Sequence, residues 1–129
     1  MEMGNFKKRE KKRWSIHKNL FYALEGLYEV LKHEMPFRIE VITFAILTPV
    51  MFVLPLTGGH RAIIFAFFFL VLIVELINSA VERCVDLTIR KYHILAKRAK
   101  NAASSAVLLS IVALIIVGFF FIIKDCFFK

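Results

Sequence analysis

The chain has 129 residues, of which 59% are hydrophobic and 22% charged, with 14 Phe and a formal charge of +8. One domain fits that length, and a soluble domain so small could not carry this many apolar side chains in water without aggregating. The same apolar content excludes disorder, and the basic residues lie beside hydrophobic runs, which points to a membrane and away from nucleic acid.

Residues 1–14 are a basic tail (KKREKKRW). No secretory signal is expected, because an amphipathic stretch follows the tail where a plain apolar run and a small-residue cleavage site would stand. Over 15–34 the period is helical. Ile16, Leu20, Leu24, Leu27 and Leu31 fall within about 80° of one another at ~100° per residue, with Lys18, Glu25, Glu29 and Lys32 opposite. A soluble core helix would show the same pattern, but the apolar runs that follow favour a helix lying in the membrane interface. Continued to its end, this helix brings Glu34 back to its apolar face, either as a helix-end acid turned to solvent or as a partner for acids elsewhere.

Residues 41–56 are apolar except for Thr43, Thr48, Pro49 and Pro55. With 35–40 as a lead-in they reach the ~20 residues that cross a bilayer. Thr57-Gly58-Gly59-His60 reads as a tight turn. A second run over 62–74 meets Glu75 and continues as an amphipathic helix to 89. Residues 90–100 read as a polar connection, and 102–123 form a third run broken only by three serines. Membrane helices are therefore expected at 35–56, 61–89 and 102–123 of a single domain spanning 1–129. Nine Lys/Arg precede the apolar run that starts at residue 41 and six lie between Arg83 and Lys100, against Arg61, Lys124 and Lys129 elsewhere. That bias places the N-terminus in the cytoplasm and the C-terminus outside. The expected fold is all-α and integral to the membrane, with three transmembrane helices behind an N-terminal surface helix. Cys84 and Cys126 are far apart and lack ligand spacing, so neither zinc nor a disulfide is expected.

The chemistry is concentrated in the segment ELINSAVERCVD, residues 75–86. Asn78, Glu82 and Asp86 fall at about 300°, 340° and 20° from Glu75 around a helix, so three acids and an amide share one stripe. An ionisable group in the middle of a spanning helix costs roughly 2.5–3.5 kcal/mol, which makes it a functional candidate by default. A polar cluster that merely fixes helix packing is the alternative. Carboxylates crowded in this way repel one another, and a hard divalent cation such as Mg²⁺, which takes one or two carboxylates plus substrate phosphates, relieves the repulsion. Arg90, Lys91, Lys97, Arg98 and Lys100 lie just beyond, and most of that charge reads as ordinary membrane-flanking charge. Acids for a metal beside cations for phosphates is also what phosphoryl transfer needs. No Walker A loop, glycine-rich kinase loop or HRD motif occurs.

VELINSAVERCVDL followed by KYHILAKRAKNAASSAVLL resembles the small prokaryotic integral-membrane diacylglycerol kinase family, which includes undecaprenol kinases. That family's pattern runs E-x-x-N-[ST]-A-x-E-x-x-x-D and then Y-H-x-L-x-x-x-A-K-D, and the likeness covers residues 15–123. It implies a homotrimer with active sites between subunits near the cytoplasmic surface of the bacterial inner membrane. There Mg-ATP phosphorylates a lipid hydroxyl, giving phosphatidic acid when the lipid is diacylglycerol. By position, the resemblance makes Glu75 the catalytic base, with Asn78 and Asp86 as supporting polar groups and Glu34 and Glu82 as metal acids that also face the nucleotide. Nucleotide contacts are implied at Tyr22, Asp86, Lys91, Tyr92, His93, Asn101 and Lys100, the last on phosphate. Lipid contacts are implied at Asn19, Leu20, Phe21, Tyr22, Ala23, Leu24, Glu40, Glu75 and Ser104. Glu40, in PFRIE, resembles the diacylglycerol-kinase FRQE more than the undecaprenol-kinase FRIH. Two positions depart from the pattern. Asn101 stands for the Asp after the loop lysine and keeps an acceptor while losing a charge. Ser15 stands where an arginine is expected, with Arg13 nearby.

Through that resemblance the expected activity is ATP:diacylglycerol phosphotransfer, with undecaprenol kinase as the alternative, and no nucleic acid is expected as a partner. A small oligomeric transporter or channel subunit is a different class. The acids run from Glu75 only towards Asp86, however, and none lies in the other half of the membrane, so no polar path crosses it.

Overall fold

The computed structural model describes residues 16–88 and 92–127. It holds four helices: α1 (Ile16–His33), α2 (Met35–Val53), α3 (Gly58–Thr88) and α4 (Ile94–Phe127). α3 packs chiefly along α4 and less on α2, while α1 touches only α2 and α3. α2, α3 and α4 are each long and apolar enough to cross a membrane. At ~1.5 Å per residue α3 and α4 run about 46 and 51 Å, longer than the roughly 30 Å hydrocarbon core, so both carry polar ends beyond it. Most of their large apolar side chains face outwards; Ile116, Phe119 and Phe120 are each at least 60% exposed. Such a surface suits lipid or another subunit and not water.

α1 does not run on through Glu34 as its period suggested. Pro36 lacks an N–H for the Lys32 carbonyl and its ring would crowd that turn, so the helix stops at His33. Glu34 adopts an extended conformation (φ −100°, ψ 111°) and precedes α2, with the proline in the first turn where it is tolerated. Inside α2, Pro49 is accommodated beside Thr48, whose hydroxyl donates to the Phe44 carbonyl at 2.7 Å. Leu54 is extended, as a residue before proline prefers.

The expected turn at 57–60 is corrected in the same way. Chain reversal occupies 54–57, and Gly58 and Gly59 are already helical, with no positive φ. Thr57 caps α3, its hydroxyl accepting the His60 N–H at 3.3 Å. Asp125 of α4 accepts the Thr57 N–H at 2.8 Å and the His60 Nδ1–H at 2.8 Å. An acid from another helix thus takes the part that a glutamate usually plays in a capping box. The His60 ring stacks on Phe121, with centroids 4.1 Å apart. Arg61 closes the end of α2 by donating to the carbonyls of Met51 and Leu56 at 3.1 and 3.2 Å. Beneath this end lies the core of Met51, Leu56, Ile64 and Phe68.

The expected polar connection over 90–100 is also shorter than its composition suggests, because α4 begins at Ile94. His93 caps it, its Nδ1 accepting the Leu95 N–H at 3.2 Å, which leaves the ring proton on Nε2. Lys97, Arg98 and Lys100 are therefore helical residues.

Candidate active site

One buried seam of α3 builds the site. Ile64, Phe68, Val71, Glu75, Asn78 and Ser79 are its buried residues, spaced by three and four. The seam is apolar from Ile64 to Val71 and polar from Glu75 onward, so the packing that holds the bundle together also draws the acids inside. Glu75 is only 3% exposed. The Asn78 amide lies within reach of its carboxylate, and Asn78 Oδ1 is buried without a partner among the described residues. Farther along, Glu82 is half-buried and Asp86 is exposed.

Helix ends deliver the remaining groups. Glu34, at the joint between α1 and α2, and Glu82 both lie within electrostatic reach of Glu75. Arg83 Nη2 donates to Glu34 Oε1 at 3.1 Å, tying that joint to α3. Glu40, on α2, also comes within reach of Glu75, with its Oε2 buried and unpartnered among the described residues. At the end of α3, Lys100 Nζ lies 2.6 Å from Asp86 Oδ1. Asp86, Tyr92, His93, Lys97, Lys100 and Asn101 line one open cleft of about 370 Å³.

Of the residues singled out in the sequence, two groups come together: Glu34, Glu75, Asn78 and Glu82 around the seam, and Asp86, Tyr92, His93, Lys100 and Asn101 in the cleft. Asn19, Leu20, Phe21, Tyr22, Ala23 and Leu24 lie exposed on α1, where Tyr22 meets the edge of Phe21. Ser104 donates to the Lys100 carbonyl of its own helix at 3.1 Å. Lys91 and Ser15 fall outside the described residues. The residue-by-residue reading missed Arg83, whose position beside Glu82 was visible but whose partner lies 49 positions away. It missed Arg38 as well, whose Nε is buried without a partner among the described residues.

The donors suit a hard divalent cation. No three His, Cys, Asp or Glu side chains form a ready metal cage among the described residues. Glu34 and Glu82 nevertheless offer the pair of carboxylates that Mg²⁺ takes when phosphates and water complete its shell. The cationic and polar groups of the Lys100 cleft, which begins about one helical turn beyond Glu82, could take those phosphates.

Comparisons with known proteins converge on one family. A family model described as prokaryotic diacylglycerol kinase matches residues 21–122. The chain is similar to a diacylglycerol kinase of Pseudomonas aeruginosa, 41% identical over 85 residues, covering 66% of this chain and 69% of that one. A diacylglycerol kinase of Synechocystis sp. is 37% identical over 120 residues, covering 89% and 69%. One of Escherichia coli K12 is 34% identical over 95 residues, covering 74% and 78%.

Proposed function

The chain belongs to the prokaryotic diacylglycerol kinase family and is a membrane-embedded lipid kinase, and from that premise we propose that it transfers the γ-phosphoryl group of ATP to the hydroxyl of diacylglycerol, giving phosphatidic acid. The observation that carries this reading is the placement of Glu75. It is a buried carboxylate facing an amide, at the point where an apolar seam turns acidic and continues along the same helix towards a cleft lined with cationic groups.

In this reading Glu75 accepts the proton of the lipid hydroxyl as the oxygen attacks phosphorus, and Asn78 holds the carboxylate in position. Glu34 and Glu82 are the acids that hold Mg²⁺, which when bound neutralises phosphate charge. Lys100 contacts the phosphates from the cleft, with Tyr92, His93 and Asn101 around the nucleotide. Phosphoryl transfer asks for little beyond such alignment and neutralisation. Glu40, whose buried Oε2 has no partner among the described residues, fits a small polar headgroup bearing a free hydroxyl.

The excess of basic residues around α1 and between Arg83 and Lys100 supports a cytoplasmic location for this end, in the bacterial inner membrane. A homotrimer accounts for the apolar outer surface of α3 and α4, which neighbouring subunits would cover.

Membranes carrying the protein, given labelled ATP with either diacylglycerol or undecaprenol, test the substrate. Labelled phosphatidic acid is expected. Labelled polyprenyl phosphate without phosphatidic acid would replace the diacylglycerol reading by undecaprenol kinase.

A further inference from the structure

Arg83 follows Glu82 on α3 and lies about 80° around the helix from Glu75, on the flank that meets the joint between α1 and α2. Its guanidinium donates to Glu34 Oε1 at 3.1 Å, across a chain separation of 49 residues. Glu34 has no helix-capping duty, since its side chain makes no cap hydrogen bond to α2. Its carboxylate is one of the acids within reach of Glu75, and so belongs to the set that would take a divalent cation. Arg83 and that cation therefore compete for one carboxylate.

The pair is built to be broken. Its side chains are 43% and 28% exposed, and ion pairs so open to water are weak. A displaced guanidinium next to a dication needs an anion, and a phosphate oxygen matches its planar fork. The partner that arrives with the cation is a polyphosphate.

We propose that Arg83 is an exchangeable counter-ion of the nucleotide site, which neutralises Glu34 until a divalent cation takes that carboxylate and then passes to a phosphate oxygen of the metal-bound nucleotide. The inference rests on Glu34 and Glu82 being the metal acids. It adds a residue that the family pattern does not single out, and it couples the arrival of metal and phosphate. Metal alone must break the Arg83–Glu34 pair without recompense, whereas metal with nucleotide gives Arg83 a new partner.

The test uses Mn²⁺ alone as the probe, read by electron paramagnetic resonance on the full chain in lipid nanodiscs, with R83Q, R83K and E82Q beside the unaltered protein. R83Q is expected to bind Mn²⁺ about threefold or more tightly, because a competing cation is gone. R83K, which keeps the charge, is expected to stay near the unaltered affinity. In steady-state kinetics R83Q is expected to raise KM for Mg-ATP severalfold, with the loss falling on KM more than on kcat. Mn²⁺ affinity in R83Q equal to or weaker than in the unaltered chain overturns the competition, and an unchanged KM for Mg-ATP overturns the handover to phosphate. Mn²⁺ binding that E82Q leaves untouched overturns the metal-acid reading beneath the proposal, so the two failures are told apart.

Discussion

Lys100 Nζ lies 2.6 Å from Asp86 Oδ1, and the contact closes the end of α3 onto the first turns of α4 across the segment that joins them. Both side chains remain open to solvent in the cleft they share with Tyr92, His93 and Asn101. Asp86 therefore aims the ammonium group without sequestering it, and in the proposed reading a polyphosphate, carrying more charge than one carboxylate, would outcompete the acid.

Replacing Lys100 by Met removes that phosphate contact and leaves the helix intact. KM for Mg-ATP is expected to rise about tenfold or more, the scale of one charge-assisted hydrogen bond. Initial-rate measurements with ATP varied and lipid saturating check this. An unaltered KM would take Lys100 out of the nucleotide site.

For Glu82→Gln the expected defect is in metal dependence. With one of two carboxylates neutral, half-maximal activity should need about tenfold more free Mg²⁺, because affinity at such sites follows the number of charged ligands. A Mg²⁺ titration at fixed ATP measures it, and a superimposable curve would count against the ligand role.

Asp125 governs the opposite end of the bundle. It accepts both the Thr57 N–H and the His60 Nδ1–H, so Asp125→Ala leaves the cap of α3 and the histidine without their acceptor. The variant is expected to unfold at a lower temperature in mild detergent while keeping KM for Mg-ATP, since these groups sit far along α3 from Glu75. Thermal unfolding followed by circular dichroism decides it; an unshifted midpoint would show that the staple carries no stability.

What was legible in the sequence follows from how local each feature is. The seam from Ile64 to Glu82 is written in three- and four-residue steps, so both its burial and its change from apolar to acidic were readable. The family resemblance makes Glu34 part of the acid set, and periodicity alone carries α1 through it, whereas Pro36 ends the helix one residue earlier. The glycines at 58 and 59 suggested a turn, yet Thr57 supplies an N-cap, and a capped glycine pair can open a helix. Arg83 with Glu34, and His60 with Asp125, were out of reach. Each pair joins residues 49 or 65 positions apart, and no periodicity links such positions before the helices have packed.

The central claim is that Glu75 is the base of a lipid kinase, and it is tested most directly by labelled phosphate incorporation into diacylglycerol in membranes carrying either the unaltered chain or Glu75→Gln. The two should be matched for amount and for oligomer size by native mass spectrometry. Gln keeps the shape and removes the proton acceptor, so phosphatidic acid is expected from the unaltered chain and a loss of at least about 100-fold from the variant, the lower range of general-base catalysis. Near-equal turnover from an equally assembled variant would contradict the account.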